Sequence, residues 1–212
     1  MGYLSHLTKF QGWLLGFGLV GLALAQVDQP FPHVAPLHHV PTLLVILAAP
    51  ALLRRWPLSN AALLSLFAFL ALHTLGGRYT YTNTPYDAWV AALFGSDLST
   101  IMGWDRNHYD RLVHFSFGLL MVLPVAEILR RYVGVTKVLA LYVGVEFVMG
   151  ISAIYEIFEW LLSILLAPDN VEAYNGQQGD IWDAQKDMAL AFAGALIAAF
   201  AIWMIERSKQ EE

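Results

Sequence analysis

Hydrophobic positions in this chain fall in long runs, not in the alternating or one-sided patterns of a soluble domain. Six runs stand out, at about 10–25, 38–53, 58–75, 109–129, 138–165 and 181–205. Most approach the roughly 20 apolar residues that a helix needs to cross a hydrocarbon core. The pattern predicts an all-α, polytopic membrane protein: one domain over 1–212, about six transmembrane helices in one bundle, no internal repeat. Glycines in the first run (Gly12, Gly16, Gly18, Gly21) favour close helix packing. Between the third and fourth runs lies a long polar and aromatic connection, Gly76 to Asn107. Its middle, Tyr86 to Phe94, reads as a short amphipathic helix at the interface, where Trp and Tyr are at home. A loop of Pro, Asn, Gly and Gln, Ala167 to Gly179, leads into the last run.

Composition sharpens the class. The 212 residues are 58% hydrophobic and 14% charged, where a soluble domain has about half apolar and about a quarter charged residues. Cysteine is absent, which removes disulfides, thiolate metal sites and cysteine nucleophiles together. No basic tract suggests nucleic acid. The first apolar run lacks a small-x-small exit followed by a soluble domain and is read as a retained span. The net charge of -5 says little about partners, because the acids cluster.

Lys and Arg in the short connections orient the bundle. Arg54 and Arg55 follow the second run, Arg130, Arg131 and Lys137 follow the fourth, Arg207 and Lys209 lie in the tail, and Lys9 precedes the first run. With six spans all of these fall on one side, so both termini are expected to be cytoplasmic. Arg78 and Arg106, in the third-to-fourth connection, fit less well and are offset by Asp87, Asp97 and Asp105.

That topology sends ionisable groups from four helices to one depth, just inside the opposite interface. His73 ends the third run; His108, Asp110 and His114 open the fourth. Glu156 and Glu159 lie late in the fifth, and Asp180, Asp183 and Asp187 open the sixth. Ionisable groups are expensive in a membrane, so such a gathering points to function. Asp110 and His114, four apart, share a helix face, as do Glu156 and Glu159, three apart. Neighbouring acids in low dielectric repel unless a cation or proton intervenes.

Structural readings stand beside this one. Asn107 with Asp110, and Asp180 with Asp183, match a helix-capping pattern. Salt bridges are the alternative elsewhere, with Arg111 or Lys186 serving Asp187 and His114, and Arg78, Arg106 or Arg111 serving the two glutamates. Glu127 and Glu146 are read as satisfied structural acids. His38-His39 is read as an adjacent loop pair of the sort that seldom binds metal.

Imidazole with carboxylate suits zinc, iron or manganese, and an ion there could activate a water. The expected ligands are His73, His108, Asp110, His114, Glu156 and Glu159. Asp183 or Asp187 would serve as further ligand or general base, and Arg78 and Arg111 would hold a phosphate through paired donors. The spacing matches no HExxH-type signature.

The strings His73-Thr74-Leu75-Gly76-Gly77-Arg78-Tyr79-Thr80-Tyr81, Arg106-Asn107-His108-Tyr109-Asp110-Arg111, His114-Phe115, Tyr155-Glu156, Glu159-Trp160, Gly179-Asp180, Trp182-Asp183, Gln185 and Asp187-Met188 resemble the YjdF family of bacterial inner-membrane proteins. The likeness runs from about the third run to the end. It implies a multi-pass protein of the bacterial inner membrane and brings no activity with it. More distantly, Asp110-Arg111-Leu112-Val113-His114-Phe115, followed by a Glu-bearing helix and an Asp-led last helix, is similar to VanZ-like proteins. Those usually carry Lys where this chain has Arg111. The sequence thus leads to a metal-dependent hydrolase or transferase acting on a lipid-linked substrate among membrane lipids. A proton- or cation-coupled transporter and a purely structural polar network are the rival expectations.

Overall fold

A computed structural model describes residues 6–165 and 177–211; residues 1–5, 166–176 and 212, and hence most of the Ala167–Gly179 loop, lie outside the described residues. The Lys209 side chain, counted above among the basic ends, lies outside them too. The elements are α1 (Lys9–Gln26), α2 (Ala35–Arg55), α3 (Asn60–Arg78), α4 (Tyr86–Phe94), α5 (Leu98–Met102), α6 (Tyr109–Ile128), α7 (Lys137–Leu165) and α8 (Asp183–Glu211). A π-helical turn, Leu129–Val133, prolongs α6 and stops at Gly134, whose φ of 78° suits a residue without a side chain. Among the described residues there is no strand.

Five helices are long and apolar enough to cross a membrane: α2, α3, α6 with its extension, α7 and α8. The sixth expected span, α1, is helical over 18 residues, but Lys9, Gln11 and Gln26 dilute its apolar character. The expected interfacial helix forms with the bounds read from the sequence, as α4; α5 was not foreseen.

Local chemistry sets the helix ends. Thr8 and Gln11 form a reciprocal capping box on α1. Ser59 caps α3 through Ala62 N–H, and its own N–H and hydroxyl donate to Glu127 of α6 at 2.7 and 2.5 Å. Glu127 also takes Arg131 at 3.0 Å, so it is the satisfied structural acid expected of it. Glu146 is not: it stands exposed on α7, nine residues in from Lys137, and takes no hydrogen bond or ion pair among the described residues.

The basic ends gather at one end of the bundle. Arg130 pairs with Glu206 at 2.7 Å, Lys137 donates to the Trp203 carbonyl at 3.0 Å, and Arg131 and Tyr132 donate to the Pro57 carbonyl. Successive long helices therefore run antiparallel, and the ends of α3 and α7 meet the starts of α6 and α8 at the other end.

The closest packing joins α6 to α8. A Cβ on Gly118 would lie 1.9 Å from the Ala191 carbonyl oxygen, and one on Gly194 would lie 2.2 Å from the Phe115 carbonyl oxygen. Ala191, Ala195 and Ala198 continue the contact, packed with Val122, Val145 and Val148. In lipid no water is expelled when helices meet, so small residues that admit close van der Waals approach do the holding. This backbone-to-backbone contact sets the position of the site that lies above it.

Candidate functional site

Asp110 and His114 share one face of α6, and the α6–α8 contact brings Asp187 beside them from α8. All three are buried, and one ligating atom from each lies within 4.8 Å of the other two. His114 Nε2 is 3.6 Å from Asp110 Oδ1 and 3.6 Å from Glu156 Oε1 of α7. Among the described residues Asp187 Oδ1 and Glu156 Oε1 are buried without a hydrogen-bond donor. Buried carboxylate oxygens left this way cost far more than paired ones. Three acids around one imidazole make a donor set that suits a divalent cation.

A charged rim covers this centre. Arg106 meets Asp183 at 2.6 Å, and Arg111 and Lys186 each meet Asp180 at 2.6 Å, with Arg106–Asp180 and Arg111–Asp183 at 3.5 Å. The Lys186 ammonium and the Trp182 N–H hold the Asp180 carboxyl down at about 2. Asp180, expected to cap the last helix, accepts instead from the Trp182 N–H two residues on, before α8 begins, and it also pairs with Arg111 and Lys186, which the sequence reading assigns elsewhere. Arg111 and Lys186 place their donors here and not on Asp187. Asn107 and Gln178 join the rim through paired bonds, Asn107 N–H to Gln178 Oε1 and Gln178 Nε2–H to the Asn107 carbonyl, both at 2.9 Å.

Capping at Asn107 takes a shorter form than expected. Its Oδ1 accepts from Tyr109 N–H two residues on, while His108 is the first flanking residue of α6. His108 stacks on Trp104 with ring centroids 4.3 Å apart and receives Arg111 Nη1 at 3.4 Å. Burial first, then the Arg111 and Arg106 charges, lower its pKa from the ordinary histidine value. It belongs to the rim.

The other expected residues are distributed as follows. Glu159, buried, lines with Glu156 and Asp183 a cavity of about 440 Å³ between α7 and α8. His73 faces the centre across a second cavity of about 250 Å³, bounded by α2, α3, α6 and α7 and lined also by Asp110 and His114. Both its ring nitrogens are engaged. Nε2 lies 3.1 Å from the His38 carbonyl, which can only accept, so Nε2 carries the proton and Nδ1 accepts from the Tyr81 hydroxyl. Arg78 is elsewhere. Its Nη1 donates to the Ala25 and Val27 carbonyls at 2.9 and 2.7 Å, closing the C-terminal end of α1.

Several site residues escaped the sequence reading. His38 and His39 lie in α2, not in a loop, and both are buried; His39 bonds Gln26 and the Thr74 carbonyl. Tyr81 and Thr80 hold φ of 54° and 52°, uncommon for residues with side chains, and this turn lays the Tyr81 ring on Gly76, where a Cβ would lie 2.7 Å from it. Ser152, one turn before Glu156, is buried in the wall of the 250 Å³ cavity with no partner for its hydroxyl among the described residues. The i, i+4 relation of Ser152 to Glu156 was the available signal for it.

No solved structure matches the chain. A family model described as a predicted membrane protein matches residues 10–208. The inner membrane protein YjdF of Escherichia coli (strain K12) is 35% identical over 158 residues, 74% of this chain and 71% of that protein. Together with the apolar helices, these matches make the chain a multi-pass protein of the bacterial inner membrane, and it belongs to the DUF2238 family of predicted membrane proteins.

Proposed function

We propose that the protein is a metal-dependent hydrolase or transferase acting on a lipid-linked substrate at the extracytoplasmic side of the inner membrane. The carrying observation is the buried set Asp110, His114 and Asp187, whose ligating atoms lie within 4.8 Å of one another, with an Asp187 oxygen that has no donor among the described residues. Glu156, 3.6 Å from His114 Nε2, completes the donor set. Zinc, iron or manganese fits imidazole with carboxylates, and such an ion would supply an activated water. Glu159 is the acid best placed to take or return a proton, because it lies beside Glu156 in the polar cavity. In this reading Asp183, Arg106 and Arg111 form the rim that the substrate's polar group passes, and His73 fixes Tyr81 instead of binding the ion. Six spans with both termini cytoplasmic belong to the same proposal, supported by the basic helix ends gathered opposite the site. The VanZ-like string around Asp110 adds no substrate to it.

The test is elemental analysis of protein purified in detergent without chelators, wild type beside His114→Ala, Asp187→Asn and Glu159→Ala. The expected result is near-stoichiometric zinc, iron or manganese in the wild type and in Glu159→Ala, lost in the other two while they stay folded. No metal in the wild type, and none taken up on adding those three ions, would sink the reading. The rim's ion pairs would then be one part of a wholly structural network.

A further inference from the structure

Helix α7 carries an acid where a membrane span can least accommodate one. Glu146 lies nine residues in from Lys137, about 14 Å along the helix axis and so near the middle of a hydrocarbon core about 30 Å thick. Gly144, Val148 and Ser152 turn into the bundle, and at about 3.6 residues per turn Glu146 stands nearly opposite them. Its side chain is exposed and takes no hydrogen bond or ion pair among the described residues. Hydrocarbon supplies neither donors nor acceptors, so a carboxyl on this face calls for a partner from another protein surface.

Its neighbours on the same face narrow the choice. Tyr142, four residues before it, is 61% exposed, and its hydroxyl has no partner among the described residues. Gly150, four residues after it, has nothing within 4 Å of where a Cβ would stand. Gly144 of the same helix is used inside the bundle, against Val122. Leu139 and Ile157 extend the outer face, both exposed. Between membrane helices, small residues admit close approach and polar side chains hydrogen-bond across the gap. Both devices are present here, and both are unused within the chain.

What the face offers identifies what covers it. It holds one donor, the Tyr142 hydroxyl, and one acceptor, the Glu146 carboxyl. Long side chains on a helix lean toward its N-terminus, which brings the Glu146 carboxyl toward the level of Tyr142. A donor and an acceptor at one level complement themselves across a twofold axis, as an isologous interface requires. The chain has no Lys or Arg at mid-span on any of its helices, so a second copy meets this carboxyl with a phenol and not with a cation.

We propose that the outer face of α7 is the interface of a homodimer, in which the Tyr142 hydroxyl of each copy donates to Glu146 of the other and Gly150 lets the two helices close. Asp110, His114 and Asp187 lie on other helices, so each copy keeps its own centre. The inference goes beyond the metal reading and stands without it.

The test uses the full chain in liposomes. Cysteine is absent, so a dye on Ser208→Cys marks each copy once, and single-molecule photobleaching counts copies as the protein is diluted into lipid. The expected result is a dimer that dissociates on dilution. Tyr142→Phe weakens it about tenfold, the worth of two interhelical hydrogen bonds. Gly150→Ile abolishes it while leaving the thermal midpoint of the monomer in place, because the added side chain enters open space. Glu146→Gln keeps an acceptor and still dimerises, whereas Glu146→Leu does not. Monomers at every dilution overturn the proposal, and so does a dimer that survives Gly150→Ile. A dimer indifferent to Tyr142→Phe, or one that responds alike to Glu146→Gln and Glu146→Leu, overturns the reciprocal bond.

Discussion

Gly118→Ala isolates the contact on which the centre depends. A methyl at position 118 would lie 1.9 Å from the Ala191 carbonyl oxygen, whereas ordinary contact begins at 3.4 Å, so α8 must retreat by about 1.5 Å. No rotamer relieves this, because the opposing atom belongs to the backbone. Overpacking costs roughly 1–3 kcal/mol, here at the upper end, and alanine returns about 1 kcal/mol of helix propensity. The net loss is about 2 kcal/mol, which in a chain of this length lowers the thermal midpoint by about 4–8 °C. The effect on the centre is proportionally larger. Asp187 rides on α8, and metal sites tolerate only about 0.2 Å in their ligand distances. On the proposed metal reading, Gly118→Ala is therefore expected to lose the ion while most of the protein still folds. Gly16→Ala is the control: nothing lies within 4 Å of a Cβ there, so the same substitution stabilises by up to about 1 kcal/mol. Scanning fluorimetry and elemental analysis on the same samples decide it. If Gly118→Ala matches Gly16→Ala in midpoint and metal content, the close contact does not set the site.

Acidification is expected to weaken the wild type relative to His108→Gln. A histidine whose folded pKa is lowered opposes protonation in the native state, so its penalty grows as pH falls below the unfolded value near 6.5; midpoints of the two proteins that stay parallel from pH 7.5 to 5 would contradict this. Because cysteine is absent, single-cysteine labelling reports topology directly. Ser5→Cys and Ser208→Cys should both react only from the cytoplasmic side and Ser96→Cys only from outside, whereas Ser5 and Ser208 on opposite sides would mean that α1 does not cross. At dilutions where copies are apart, Glu146→Leu should raise the thermal midpoint, since an acid at mid-span in lipid costs about 2.5–3.5 kcal/mol on insertion scales; a fall would show that Glu146 has a partner within its own chain.

Much of the architecture was legible because a bilayer punishes any other arrangement. With no water to satisfy the backbone, long apolar runs must be helices, and α2, α3, α6, α7 and α8 lie where the runs do. The weaker register at α1 has a visible cause in its polar ends. The face shared by Asp110 and His114 follows from helical periodicity alone, and so does the level at which the acids of α7 and α8 arrive. Periodicity is silent about which side chains on one level turn toward each other. Arg111 and Asp183 carry the same kind of charge chemistry as the residues below them, yet they are engaged in the rim, and Arg78 closes α1 some distance away. His73 differs from His114 only in its partners, a carbonyl and a phenol in place of carboxylates.

By itself, then, the sequence determined the class, five of the six expected spans, the level of the polar groups and the family resemblance, because these depend on local apolarity and on spacing within one helix. The tertiary structure alone decided that Asp187 joins Asp110 and His114, that Arg106, Arg111 and Lys186 are engaged by Asp180 and Asp183, and that an apolar cavity opens between α2 and α7. Those outcomes depend on how far two backbones can approach. Here that distance is set by Gly118 meeting Ala191 and by Gly194 meeting Phe115, contacts between residues more than 70 positions apart in the chain.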